Sequence, residues 1–152
     1  MKAATASREL DVRELVGEIA RRAISLPPAT GDPVAAVAAL LVLDPRNTDH
    51  VEAVTTVIVC DALGDPWRET TANQWRAVLP TWIRPQVIGA TVQRMSAAGV
   101  LVHTGRWVRS TDTAGGNGGK PQPVYRVIVP GEDQPLPFAR LGDVGPVGPD
   151  RT

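Results

Sequence analysis

The chain has 152 residues, 43% of them hydrophobic and 21% charged, with 16 basic and 16 acidic side chains and no net charge. This length and composition are those of one globular domain with extensions. The single cysteine, Cys60, excludes a disulfide within one chain, and the longest apolar run, residues 34–43, is too short to cross a bilayer. Because residues 1–16 lack the apolar segment of a secretory signal, we expect a cytoplasmic protein with no membrane partner.

The charges are distributed unevenly along the chain. Residues 1–65 carry six basic and ten acidic side chains, residues 66–127 carry eight and two, and residues 128–152 carry two and four. A positive segment attracts polyanions. The middle of the chain is therefore where we expect a nucleic-acid partner to bind.

Two helices are predicted in the N-terminal third. Residues 11–26 repeat apolar side chains at about a helical spacing, with Asp11 as the N-cap. Residues 33–43 form the second helix, with Asp32 as N-cap and Pro33 at the first helical position. This helix is apolar on nearly every face, so we expect it to be buried within the domain or in a homodimer contact.

A long and a short helix are predicted next. Residues 50–64 are rich in β-branched side chains, but their length and the closing glycine favour a helix. Residues 70–79 form the short helix, which Thr70 or Thr71 caps and Pro80 ends. Its predicted inward-facing side chains are Trp75, Val78 and Leu79.

The next helix is predicted from Pro85 to Ala98. Proline suits its first position, and Gly99 suits the turn that ends it. Its expected buried stripe consists of Ile88, Val92 and Met95. Its expected outward face, which has no acidic side chain, consists of Gln86, Gly89, Ala90, Gln93, Arg94 and Ala97.

Two strand-like runs, residues 100–110 and 123–129, flank a glycine-rich connector and predict a β-hairpin. The connector is not a phosphate-binding loop, since Ala114 and Pro121 occupy positions where that motif needs glycine and a hydroxyl residue. The glycines instead predict a pliable hairpin tip from which Lys120 reaches outward. Residues 130–152 contain five prolines and four glycines and are predicted to be a flexible tail.

The sequence offers no set of residues for catalysis or metal binding. Its only histidines are His50 and His103, and it has neither a paired metal-ligand motif nor a carboxylate cluster. We therefore expect no enzymatic activity, no metal and no cofactor.

The order of a helix, a short helix, a long helix and a hairpin, over about residues 65–129, resembles the winged helix-turn-helix superfamily. More narrowly, "IGATVQRMSAAGVLVHTGRWVRS" and "KPQPVYRV" resemble small helix-turn-helix proteins of bacteriophages and actinobacteria. The resemblance implies a mostly α protein with a β-hairpin (α+β). Its winged helix-turn-helix domain spans residues 48–129, after an N-terminal helical extension over residues 1–47 and before the tail.

The resemblance also implies that residues 85–98 are a recognition helix in the major groove and that residues 100–129 are the wing. Glutamine pairs well with adenine, arginine pairs with guanine, and wing cations bind phosphates. The predicted base contacts are Gln86, Gly89, Ala90, Gln93 and Arg94. The predicted backbone and wing contacts are Thr71, Asn73, Gln74, Arg84, Arg106, Arg109, Lys120 and Arg126. The alternative for Arg94 is an ion pair with an acidic residue of the N-terminal region.

Two functions remain open. The first is duplex DNA binding by a small transcriptional or phage-type regulator, with residues 34–43 as its homodimer contact. The second is a winged-helix protein-interaction module that docks on a host or replication protein without binding DNA. The first hypothesis would fail if the N-terminal third both covered the outward face of helix 85–98 and neutralised the guanidinium groups of the hairpin.

Overall fold

A computed structural model describes residues 11–111 and 118–132. Most of the predicted hairpin tip, most of the predicted tail and the first ten residues lie outside this part of the chain. The helices of the described part are α1 (Val12–Ser25), α2 (Pro33–Leu43), α3 (Thr48–Leu63), α4 (Ala72–Arg76) and α5 (Pro85–Ala97), with a 3-10 turn at Pro45–Asn47. Its strands are β1 (Glu69–Thr70), β2 (Leu101–Arg109) and β3 (Pro121–Val127). The fold is therefore α+β, as predicted.

The helix boundaries follow from local capping. The Asp11 carboxylate accepts a hydrogen bond from Arg13 N at 3.0 Å at the start of α1, and the Asp32 carboxylate accepts one from Ala35 N at 3.1 Å at the start of α2. The β-branched α3 is helical, and its Thr55 hydroxyl donates to Val51 O at 2.8 Å. The predictions of α1, α2 and α3 are confirmed.

The short helix differs from its prediction. Thr70 belongs to β1, so Thr71 is the N-cap, and the Gln74 side chain accepts a hydrogen bond from Thr71 N at 3.0 Å. The helix ends at Arg76, before Val78, whose side chain is 65% exposed rather than turned inward. Only the burial of Trp75 follows the prediction fully, while Leu79 is partly buried.

The three strands form one antiparallel sheet in the order β1-β3-β2. The pairing of β2 with β3 is interrupted by a bulge between His103 and Trp107, where Gly105 has a φ of 91° that glycine adopts without strain. Strand β1 extends along β3 only to Tyr125. Among the described residues, no strand pairs with the edge of β3 beside Pro121 and Pro123, whose missing N–H groups are tolerated there.

The start of the predicted tail is tied to the domain. Glu132 forms a bidentate ion pair with Arg68, with N–O distances of 2.9 and 3.0 Å. This contact raises the pKa of the guanidinium. Arg68 has a φ of 58° just before β1, and its carbonyl oxygen accepts a hydrogen bond from Val127 N at 2.8 Å. The last residue of β3 and a residue shortly after it therefore hold the turn that leads into β1.

The core has two parts. The larger part joins α1, α3, α5 and the sheet around fully buried side chains such as Ile19, Ile58 and Met95. The smaller part lies between α2 and α5, where Ala38 and Ala90 allow the two helices to pack closely. As a result, α2 lies along one side of the helix that the sequence designates as the recognition helix.

Candidate nucleic-acid interface

Helix α5 presents only part of its predicted outward face. Gln86 and Gly89 are exposed, so these two predicted base contacts remain accessible. Gln93 is half-buried, and its side-chain oxygen is buried without a hydrogen-bond partner. Arg84, the residue before the helix, is also exposed, and its backbone N donates to His50 Nδ1 at 3.0 Å. The accessible residues therefore concentrate in the N-terminal half of α5.

Arg94 does not face outward, and its prediction as a base contact is wrong. Its side chain is 0% exposed, its Nε donates to Ala23 O at 3.0 Å and its Nη2 donates to Leu26 O. The Ala23 carbonyl needs this donor because the residue four positions later, Pro27, has no N–H to continue the helix. Arg94 therefore contacts the N-terminal region, as the alternative proposed, but through carbonyl groups instead of an acid.

Ala90 is also buried, against Ala38 and Val42 of α2, so its prediction as a base contact is wrong. The buried face of α5 is rotated by part of a turn from the predicted one, since Ile88 and Val92 are only half-buried. The fully buried side chains of α5 include Val87, Thr91, Arg94 and Met95. The rotation has a physical cause: α5 packs against α2 as well as against the main core, so it is covered on two sides.

A groove runs between α2 and α5. The residues that line it are Pro33, Val34, Val37, Ala38, Leu41, Gln86, Gly89, Ala90 and Gln93. None of these side chains is charged. The accessible edge of α5 is therefore polar but neutral, and any charge that attracts DNA has to come from neighbouring elements.

Two predicted wing cations share one carboxylate within the fold. Arg126 is buried, with its Nη2 3.2 Å from a Glu69 carboxylate oxygen and its Nε donating to Trp67 O at 3.2 Å. Arg106 is half-buried and pairs with the other oxygen of the same carboxylate. The prediction of Arg126 as an outward contact is wrong, and Arg106 is held by Glu69 instead of pointing freely into solvent.

Sequence analysis missed Glu69, the residue that organises this cluster. In the sheet, Glu69 of β1 lies directly opposite Arg126 of β3. The available signal was its isolation, because no other Asp or Glu occurs between residues 66 and 111. A lone acid among arginines indicates an internal ion pair, but its partner could be identified only after β1 was known to pair with β3.

Three predicted cations remain outward: Arg84, Arg109 and Lys120 are exposed, and none forms an ion pair within residues 11–111 and 118–132. Arg109 makes a hydrogen bond from its Nη1 to Gly119 O at 3.3 Å across the hairpin. Arg84 lies close enough to Asp44 to act on its carboxyl, although that pKa is lowered to about 2 mainly by hydrogen bonds with Arg46.

The predicted polar contacts of the short helix have structural partners. Asn73 donates to Arg109 O at 2.7 Å, and its side-chain oxygen accepts from Thr111 N at 3.0 Å. Thr71 and Gln74 form the cap of α4. Asn73 therefore fixes the start of α4 against the end of β2, which places Arg109 beside the short helix.

An aromatic cluster lies on the hairpin. Trp107 is 59% exposed and meets the ring of His103 edge to face at a centroid distance of 4.8 Å, and Tyr125 lies 6.0 Å from the same histidine. His103 Nδ1 accepts a hydrogen bond from Gly105 N at 2.8 Å, which orients the ring. Burial raises the pKa of the Tyr125 phenol. An apolar surface thus accompanies the exposed cations of the hairpin.

Comparison with protein-family models, with curated proteins and with solved structures finds no match to this chain. Within the described residues, no three His, Cys, Asp or Glu side chains are grouped so that they could hold a metal ion. None of the helices described above combines the length and the apolar character needed to cross a membrane.

Proposed function

We propose that this chain is a winged-helix protein that binds duplex DNA. The order α3, α4, α5 and then the β2–β3 hairpin is the order that its resemblance to winged helix-turn-helix proteins implies. The N-terminal half of α5 would enter the major groove, with Gln86 and Gly89 nearest the bases and Gln93 farther along. Arg84 would bind a phosphate at the start of this helix.

The observation that carries the proposal is the one-sided charge of this surface. Residues 71–111 and 118–127 contain no acidic side chain, so α4, α5 and the described hairpin contribute no carboxylate to it. The exposed cations at its two ends are Arg84 before α5 and the pair Arg109 and Lys120 on the hairpin. Such a surface attracts phosphates.

The proposed interface has fewer accessible cations than the sequence analysis predicted. With three accessible cations per chain, the slope of log affinity against log salt should be about −3, because each phosphate contact contributes about −0.9. Base discrimination would depend on neutral side chains, which read hydrogen-bonding groups without adding charge.

The test is a titration of a labelled pool of random duplexes, followed by fluorescence anisotropy over a range of salt concentrations. The double variant Arg109→Glu/Lys120→Glu should bind at least about tenfold more weakly near 50 mM salt, and its salt slope should lose about two units. The matched control is Arg13→Glu/Arg21→Glu, which makes the same change in net charge at exposed positions on α1. Equal losses in the two variants, or no duplex binding by the natural chain near 50 mM salt, would overturn the proposal.

A protein-interaction module is the second candidate function. The observation that favours it is the neutral groove between α2 and α5, since protein partners bury uncharged and apolar surface. The two candidates differ in one measurable property. A docking module would not bind duplexes even at low salt, whereas a DNA-binding protein would bind them and release them as the salt concentration rises.

A further inference from the structure

We propose that one face of the β2–β3 hairpin binds an unpaired strand of DNA, with a base stacked on Trp107 and a phosphate on Arg109. The strand pairing places six side chains on this hairpin face. Those of β2 are His103, Trp107 and Arg109, and those directly opposite on β3 are Tyr125, Pro123 and Pro121. The proposal adds a second ligand to the proposed function, and only the choice of DNA over RNA rests on that function.

Trp107 is an exposed ring that its neighbours hold in place. It is 59% exposed, although tryptophan is largely buried on average in folded proteins. The ring of His103 contacts it edge to face at 4.8 Å, and the bulge brings the two together because residues 104–106 of β2 lie opposite Val124 alone. A ring that is already ordered can stack on a base without a further cost in side-chain entropy.

A depression of about 330 Å³ lies beside this ring, towards the end of the hairpin. This volume is at the lower end of the range for small-molecule pockets, which suits a single base better than a larger ligand. Gly119, with a φ of 79°, adds no side chain to fill the space. The residues that line the depression are Trp107, Val108, Arg109, Gly119 and Pro121.

The charge at this end of the hairpin favours an anionic ligand. Arg109 lies two positions beyond Trp107 on the same face, about 7 Å along the strand, and its Nη1 donates to Gly119 O at 3.3 Å. Lys120 is exposed nearby, and residues 101–111 and 118–127 contain no acidic side chain. A neutral peptide would contact the rings but leave both cations without a partner. A nucleotide would use the ring for its base and the cations for its phosphates.

Stacking on Trp107 requires a base that is not already stacked on both sides. In an intact duplex both faces of each base contact neighbouring base pairs, so a protein ring reaches such a face only where the strand is unpaired or opened. Every base has a flat face, so we expect little sequence preference at this site. The hairpin face would thus differ from α5, whose Gln86 would read the edges of paired bases.

Trp82 provides a comparison within the same chain. It is 55% exposed, and the ring of His50 meets it edge to face at 5.0 Å, so it resembles Trp107 in both respects. The cavity beside Trp82, however, is lined by the carboxylates of Asp49 and Glu52, which repel phosphates. An exposed tryptophan beside a histidine is therefore not sufficient for this site. The depression beside Trp107 differs because the charged side chain that lines it is an arginine.

The test is a titration of the full chain into labelled oligothymidylate of about 12 nucleotides, followed by fluorescence anisotropy at about 50 mM salt. The natural chain should bind this single strand. Trp107→Ala and Trp107→Leu should each bind at least about fivefold more weakly, because both lose the stacked base. Trp107→Phe should retain most of the affinity, since its ring still stacks. Trp82→Ala is the matched control and should bind as the natural chain does.

The outcomes separate stacking from other roles of the ring. The proposal is overturned if the natural chain does not bind the single strand, if Trp82→Ala loses as much affinity as Trp107→Ala, or if Trp107→Leu keeps its affinity. Tighter binding of oligouridylate of the same length would identify RNA as the ligand and refute the choice of DNA. Circular dichroism should show that each variant stays folded, since both tryptophans are exposed.

A second titration, with random duplexes, distinguishes this proposal from the proposed function. Trp107→Ala should bind duplexes as tightly as the natural chain does, because paired bases offer the ring no free face. An equal loss of affinity for duplexes and single strands would place the ring in the duplex interface and refute the proposal. Because the single strand is titrated alone, a failure of duplex binding would not alter the first measurement.

Discussion

Replacing Arg94 with alanine would remove two hydrogen bonds that hold the end of α1 against α5. The guanidinium reaches Ala23 O at 3.0 Å and also Leu26 O, and its side chain is 0% exposed. The first carbonyl has no helical partner, because Pro27 lacks an N–H. The substitution would therefore leave buried acceptors without donors and a cavity where the arginine stem had packed.

The size of the effect follows from these contacts. Hydrogen bonds that involve a charged group contribute about 1.5–3 kcal/mol each, so Arg94→Ala should lower the free energy of unfolding by about 3–5 kcal/mol. That is a large share of the roughly 5–15 kcal/mol that stabilises a typical domain. Arg94→Met should cost less, about 1–3 kcal/mol, because it fills the space and removes the cost of burying a charge.

Urea unfolding followed by tryptophan fluorescence measures this difference, since the chain has four tryptophans and Trp75 is buried. Arg109→Ala is the control: its side chain is exposed, and its unfolding free energy should change by less than about 0.5 kcal/mol. The two interpretations of Arg94 predict opposite results. If Arg94→Ala unfolded at the same urea concentration as the natural chain but lost duplex binding, Arg94 would be a base reader and the structural role argued above would be refuted.

Two further predictions concern Glu69 and Tyr125. Glu69→Gln should lower the free energy of unfolding by about 1–3 kcal/mol, because it removes the charge that Arg106 and the buried Arg126 share. It should strengthen duplex binding by leaving the hairpin more positive, and weaker binding by a folded variant would contradict this account. Tyr125 is the single tyrosine, and burial raises its pKa, so absorbance near 295 nm should give a midpoint above the ordinary value of 10.0. Because the folded state favours the neutral phenol, this stabilisation is complete below pH 10 and is lost as the pH rises through the folded value. A midpoint at or below 10.0 would show that the ring is not buried.

Capping residues made most helix boundaries predictable. Asp11, Asp32 and Pro85 each act within one turn of the chain, and the backbone N of Gly99, which has a φ of 76°, donates to Ser96 O at 3.1 Å as α5 ends. The local sequence is therefore enough to predict these helix boundaries. Strand β1 lacked such a signal, because its two residues are defined by pairing with a strand more than fifty positions away.

The orientation of α5 could not be predicted for a different reason. Its sequence offers two apolar stripes, one through Ile88 and Val92 and one through Val87 and Ala90. A periodic pattern identifies the buried face of a helix when a single surface covers it. Helix α5 is covered on two sides, by α2 and by the end of α1, and these two contacts decide which polar residues remain outside. Gln86 stays accessible, while Arg94 lies in the contact with the end of α1.

Composition alone overstated the charge available to a polyanion. Of the eight cations in residues 66–127, Arg68 binds Glu132, Arg94 binds two carbonyl groups, and Arg106 and Arg126 share Glu69. Arginine is well suited to such internal roles because its planar group donates several hydrogen bonds while its stem packs against apolar surface. The cations that remain outward give one chain few phosphate contacts.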